Sequence, residues 1–422
     1  MDLLLGSAYW LLVVLLLLVL VDRTCRRMPA FSRWRQVLRF AALFWCCTAI
    51  FKKVYLDYIF PPGDAIWHEW VAREVAELLR AGDFAGAGEF FGFGNPAYRF
   101  LLGVFYALTG APELVTYTVN GALAYWGILA MLQALCQHTG CKNLPAKVIV
   151  PGLFLPSALL WTTTNLKEGL VLWGICMMLQ WTFPRSNKRG KIPRLLPLMG
   201  MIALGLLRPH IALIWIVAIN LLATWRSKKI GLFVLTSAGA LASLFLLKLA
   251  APVLFEAATG EGVASTLGGR YEHLTTNSDL ASSHFLDKDP TPILTGVLLI
   301  LFRPWPWEVR QISEFLAGVE VWWLASLGLW SWVRVPNKLS HLKHPCIISM
   351  LVCLAMLGFF FSYMYNMGLV VRQRLMVFPA VWLLYSWPAI FYRPHLKRSV
   401  RLPKLNSRLR KPQSQLPLPA SR

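Results

Sequence analysis

Apolar residues along this chain come in unbroken blocks, not in alternation. Blocks of roughly 15–20 residues suit the hydrocarbon core of a bilayer, whereas a membrane β-barrel would show a period of two. The pattern predicts an all-α polytopic membrane protein of about eleven transmembrane helices. They cover 3–21, 36–55, 113–136, 146–163, 168–183, 195–207, 211–225, 230–250, 313–333, 346–366 and 375–392. Two apolar pieces, 100–109 and 293–302, are too short to cross and are expected to be re-entrant or interfacial helices. Block 3–21 lacks a basic flank and a small-residue cleavage site, so it reads as a retained helix and not as a signal peptide. Within 56–112, residues 65–80 repeat at helical spacing. Trp67, Trp70, Val71, Val75, Leu78 and Leu79 form the expected apolar face, with His68, Glu69, Arg73, Glu77 and Arg80 mostly opposite. That predicts an amphipathic helix lying on the membrane surface.

The short loops carry the basic residues. Clusters at Arg23/Arg26/Arg27, Arg185/Lys188/Arg189/Lys191/Arg194, Arg226/Lys228/Lys229 and Arg334/Lys338/Lys343, with the tail from Arg393, all fall on one side if the spans alternate. Positive loops stay cytoplasmic, so the N-terminus is expected outside and the C-terminus inside; an outer loop without Asn-x-Ser/Thr sequons fits a plasma membrane of bacterial inner-membrane type. Residues 1–392 then form one integral membrane domain with extracytoplasmic loops at 56–112 and 251–312. Residues 393–422, basic and proline-rich, read as a disordered cytoplasmic tail.

Composition agrees: 57% of the 422 residues are hydrophobic and 15% charged, with a mean hydropathy of +0.54. That excludes a soluble enzyme and a disordered chain. The net charge of +22 is explained by topology and by attraction to anionic lipid heads, so nucleic acid is not an expected partner. The eight cysteines form no Cys-x-x-Cys pair, and neither a zinc site nor a disulfide framework is expected.

The unusual polar residues gather on the predicted outer face. Asp64 follows Pro-Pro-Gly and reads either as a helix cap or as a general base at the membrane surface. His68 and Glu69 follow on the same helix. Lys167-Glu168 lies at the tip between two spans, as an interfacial pair or as part of a polar pocket. Arg208 and His210 sit in a hairpin of two short helices, which should recess its tip below the surface. Buried charge there is costly, and snorkelling is the alternative. Arg303, Trp305, Trp307 and Glu308 occupy a Pro-x-Pro elbow that cannot be helical throughout, its indoles serving to stack on sugar or to join the aromatic belt. Arg372 and Arg374, at the outer edge of the last span, are the best phosphate-binding candidates, with headgroup anchoring as the alternative. Arg270 lies on the same face. A carboxylate and several guanidinium groups at an outer leaflet suit sugar transfer from a polyprenyl-phosphate donor to an acceptor hydroxyl.

The run Gly63-Asp64-Ala65 with Trp67-His68 and the helix to Gly82 resembles the first outer loop of GT-C glycosyltransferases. The nearest group is the protein O-mannosyltransferase and aminoarabinose-transferase one (family 39-like). Asn95-Pro96-Ala97-Tyr98, before a short apolar helix ending Thr109-Gly110, resembles that group too. The likeness covers about 140 residues at best. It implies a catalytic Asp64, an inverting transfer in cell-surface glycan assembly, and as partners a polyprenyl-phosphate sugar, an acceptor glycan, lipid or protein, and membrane lipids. The chain departs from the group in its extra first span and its lack of a large soluble C-terminal domain. With no Asp-x-Asp pair, no metal ligand is assigned and no cofactor is firm, a divalent cation staying open. Other readings are a polysaccharide polymerase or ligase with a lipid-diphosphate donor, a flippase or transporter of a lipid-linked saccharide, and a membrane scaffold.

Overall fold

A computed structural model describes residues 2–58, 64–141, 143–182, 195–227, 301–310, 312–335, 338–361 and 367–391. The predicted span 230–250, Arg270 and most of loop 251–312, and the tail 393–422 lie outside the described residues. Among the described residues every regular element is a helix. In order these are α1 (Asp2–Arg27), α2 (Pro29–Ser32), α3 (Arg35–Tyr58), α4 (Asp64–Arg80), α5 (Phe84–Glu89), α6 (Asn95–Thr109), α7 (Glu113–Thr139) and α8 (Ala146–Leu153). They continue with α9 (Pro156–Thr162), α10 (Glu168–Thr182), α11 (Leu195–Leu207), α12 (Pro209–Ser227), α13 (Ile312–Arg334), α14 (Lys338–Leu342), α15 (Pro345–Phe361) and α16 (Met367–Phe391). Three helices, Leu4–Arg27, Glu113–Thr139 and Glu314–Arg334, are long and apolar enough to cross a membrane, and several shorter apolar helices accompany them. These features fit a helical membrane protein.

The centre is α7. It is apolar on all sides and buried along most of its length, from Val115 to Cys136, as expected of a helix enclosed by others. Helices α1, α3, α9 and α10 pack around it. Helices α13 and α16 run side by side in the same direction, Ala317 packing with Val371 near their starts and Trp332 Nε1 donating to Leu384 O at 3.0 Å further along.

Two predicted boundaries are corrected. The expected single span 146–163 is two helices, α8 and α9. Pro156 opens α9 and holds Leu155 in an extended conformation (φ −68°, ψ 115°), which breaks the helix. The expected last span, 375–392, starts eight residues earlier, at Met367, and takes Arg372 and Arg374 into the helix. Both arginines find polar partners inside the protein, so neither has to remain in an outer loop.

Helix α4 forms where its periodicity requires, and it buries Val71 and Val75 of the expected apolar face against the protein. Its buried residues are Ala65, His68, Val71, Ala72, Val75 and Ala76, whereas Trp67 and Trp70 are exposed and stacked with ring centroids 5.0 Å apart. Small side chains, not indoles, line the contact with α6, because the two helices approach very closely. A Cβ on Gly103 of α6 would lie 2.6 Å from Val75 Cγ1 and 2.9 Å from Ala72 O.

The helix ends fall into two groups. At one end Tyr9 OH donates to Thr109 O (3.0 Å), Lys53 pairs with Glu113 (2.7 Å), and Gly94 N–H donates to Leu206 O (2.8 Å) at the end of α11. At the other, Trp34 Nε1 donates to Leu144 O (3.0 Å) and Gln133 Nε2 to Thr24 Oγ1 (2.7 Å). The last turns of α1 and α13, which carry Arg26, Arg27 and Arg334, belong to this second end.

Candidate functional site

At the first end, four segments far apart in sequence deliver charged groups to one place. Helix α4 brings Asp64 as its first residue. Helix α10 opens with Glu168, the short connection between α11 and α12 brings Arg208, and the second turn of α16 brings Arg372. The Arg372 guanidinium is the hub: Nη1 donates to Asp64 Oδ2 at 2.6 Å, Nε to Glu168 Oε1 at 2.8 Å and Nη2 to Glu168 Oε2 at 3.3 Å. Arg208 Nη2 donates to Glu168 Oε1 at 3.2 Å.

Burial divides the two carboxylates. The Glu168 side chain is 0% exposed, whereas that of Asp64 is 62% exposed. A fully buried carboxylate needs its cations, and two arginines hold Glu168. Asp64 is the one that solvent can reach. Burial raises the Asp64 pKa, but the hydrogen bond and charge of Arg372 outweigh it, and the net shift is downward. The Asp64 carboxylate thus stands at the start of α4 and is an ion-pair partner of Arg372.

Lys167, also buried, donates not to its neighbour Glu168 but to Asn95 Oδ1 at the start of α6. Burial, aided by the charge of Arg208, brings its pKa down to about 7. Lys167 and Glu168 are thus both buried and turned to different partners. Gly94, at φ +84°, makes the turn that presents Asn95, and a Cβ there would come within 4.0 Å of Lys167 Nζ.

His68 and Glu69 point into protein and not to the water-facing side expected for them. His68 is 1% exposed; its Nδ1 accepts from Arg99 Nε at 3.0 Å and its ring stands edge-on to Tyr98. Burial, and then the charge of Arg99, lower its pKa to about 4, so it is neutral near pH 7. Glu69 accepts from Arg73 Nε (2.8 Å), Asn165 Nδ2 (2.6 Å) and Tyr106 OH. Burial, with the charge of Glu113, raises its pKa. Thr116 Oγ1 donates to Asn165 Oδ1, and Asn120 Nδ2 donates to Tyr98 OH and to Thr164 O, both at 2.7 Å. This network locks α4, α6, α7 and the 163–167 turn together beneath the carboxylate–arginine cluster. Sequence reasoning missed Arg99, Tyr106, Asn120 and Asn165 as site residues. The one available signal was polar residues recurring inside otherwise apolar helices.

The expected Arg372/Arg374 pair does not act together. Two residues along a helix turn the side chains about 200° apart. Arg374 instead donates to the Arg303 carbonyl and lines a cavity with Ser157, Glu320 and Tyr385. Glu320 accepts from Ser157 N–H at 2.7 Å and from its hydroxyl at 2.6 Å. The elbow is non-helical over 303–310, as its prolines require. Arg303 pairs with Glu308 at 2.9 Å, and Trp305 and Trp307 stack in parallel with centroids 5.4 Å apart. His210 lies half-buried in the first turn of α12. The site thus holds Asp64, Glu168, Lys167, Arg208 and Arg372 together, with His68 and Glu69 beneath. Arg303, Glu308, Arg374 and the indoles form a second group. Compared with known protein families, curated proteins and solved structures, the chain matches none.

Proposed function

We propose that the chain is a membrane glycosyltransferase of GT-C type that moves a sugar from a polyprenyl-phosphate donor to an acceptor hydroxyl at the extracytoplasmic face. One observation carries this reading. Asp64 and Arg372, 308 positions apart, meet at 2.6 Å with the carboxylate still open to solvent.

The donor's lipid stays in the bilayer and its phosphate competes with Asp64 for Arg372. Arg208 and Lys167 add positive charge on the same side, and Glu168 keeps the two arginines in place. Once Arg372 turns to phosphate, the influence that lowers the Asp64 pKa is removed and the carboxylate becomes a better base. The acceptor hydroxyl then attacks the anomeric carbon, its proton goes to Asp64, and the bond from that carbon to the phosphate oxygen breaks. The electron pair leaves with the phosphate, whose added charge the guanidinium stabilises. One displacement inverts the anomeric centre. The reading includes about eleven spans, an outer N-terminus, an inner C-terminus and a plasma-membrane location.

The test is replacement of Asp64 by Asn, which keeps the shape and removes the base. In cells lacking the chain, a polyprenyl-phosphate sugar should accumulate; wild type should clear it, and D64N should do so about 100-fold more slowly or worse. Clearance by D64N at the wild-type rate would leave Asp64 no catalytic role.

A further inference from the structure

At the opposite end of the molecule lies a cluster that the carboxylate–arginine site does not use. His138 is in the last turn of α7, and α7, at 27 residues, separates it from Glu113 by about 40 Å. His344 and Cys346 bracket Pro345 at the start of α15. Folding brings one nitrogen from each imidazole and the thiol sulfur within 4.8 Å of one another. Cys346 Sγ and His138 Nε2 are 3.9 Å apart. Trp387 of α16 closes one side, its ring 4.6 Å from that of His344 and 6.0 Å from that of His138. Cys346 is buried and both histidines are half-buried.

We propose that His138, His344 and Cys346 bind a zinc-class divalent cation that ties the end of α7 to the start of α15. Two imidazoles and a thiolate are the ligand types that tetrahedral zinc takes. Its bond lengths place ligand atoms about 3.3–3.5 Å apart, so the Cys346–His138 pair at 3.9 Å is already close and the group as a whole must contract by about 1 Å at most of its contacts. His344 Nδ1 already accepts a hydrogen bond, from the Cys346 amide at 3.3 Å, and therefore carries a lone pair. That bond is long, and a cation can take its place. On binding, the Cys346 thiol gives its proton to solvent as the sulfur–metal bond forms. Three protein ligands leave one position for water. No Cys-x-x-Cys spacing announces this site, because its ligands are 206 positions apart (138 to 344) and only the fold unites them.

The test uses the full chain purified in detergent, with Co2+ as spectroscopic probe and Zn2+ as competitor. Wild type should bind about one ion per chain, show a thiolate-to-cobalt charge-transfer band, and lose it on adding Zn2+. C346S should lack the band, and both C346S and H138Q should bind at least about tenfold more weakly, while C141S should behave as wild type. In wild type alone, Zn2+ should raise the thermal midpoint and a chelator reverse the rise, which keeps the test decisive should a variant fail to fold. No stoichiometric ion in wild type, or an unchanged band in C346S, overturns the proposal.

Discussion

His68 shows how a single side chain can be misjudged from its spacing alone. A polar residue on an amphipathic helix is expected to face water, yet here the ring is buried against Tyr98 with Nδ1 occupied by Arg99. Its Nε2 has no hydrogen-bond partner among the described residues. The folded chain holds it neutral down to a pKa of about 4, against an ordinary value of 6.5. Between those values the unfolded chain binds more protons, so the stability that a neutral His68 contributes is complete above pH 6.5 and declines as the pH falls toward 4. The charges facing it are Arg99, Asp64, Arg372 and Glu168. Melting curves of wild type and H68Q in detergent should therefore diverge inside that window, wild type losing its midpoint faster. Parallel curves from pH 6.5 to 4 would mean that the ring is not held neutral. At this scale Asp64, Glu168, Arg208 and Arg372 were legible, since charge beside apolar blocks is costly enough to stand out. Arg99 and Asn165 were not, because their partners come from distant segments that no local pattern names.

Helices were legible wherever a block was long and uniform: α7, α10 and α11 begin and end within a few residues of their expected limits. The failures came where an isolated residue decides. Pro156 splits one span, and burial of Arg372 against Glu168 extends another. The face that α4 turns to α6 was less legible, because that close contact uses Ala72 beside Val75, and a hydrophobic count ranks alanine low. Gly103 is the position where that matters most, since any Cβ there meets Val75 and the Ala72 carbonyl. Gly103→Ala should force α4 outward, cost about 1–3 kcal/mol of stability by overpacking, and disturb Asp64, which rides on the same helix. Gly88→Ala, with nothing within 4 Å of the added carbon, is the matched control. Equal thermal midpoints for the two variants would show that the α4–α6 contact is looser than drawn.

Across the whole molecule the two ends differ in chemistry. One gathers Asp64, Glu168, Arg208 and Arg372. The other gathers the basic last turns of α1 and α13, with Lys147 and Arg334 both over the Trp330 ring at 4.4 Å and 4.1 Å. Segments grouped by loop charge alone thus meet in space, as Trp34 and Leu144 do. If positive loops stay cytoplasmic, the carboxylate–arginine end faces out. Glu74 and Ser340 are exposed on α4 and α14 at the two ends. In intact cells a membrane-impermeant maleimide should label E74C and leave S340C unmodified until the membrane is opened, the unmutated chain giving the background of its own cysteines. Labelling of both from one side would place Asp64 and the basic end in a common compartment. A reversed pattern would put Asp64 in the cytoplasm, where an extracytoplasmic acceptor could not reach it, and the transferase reading would lose its substrate.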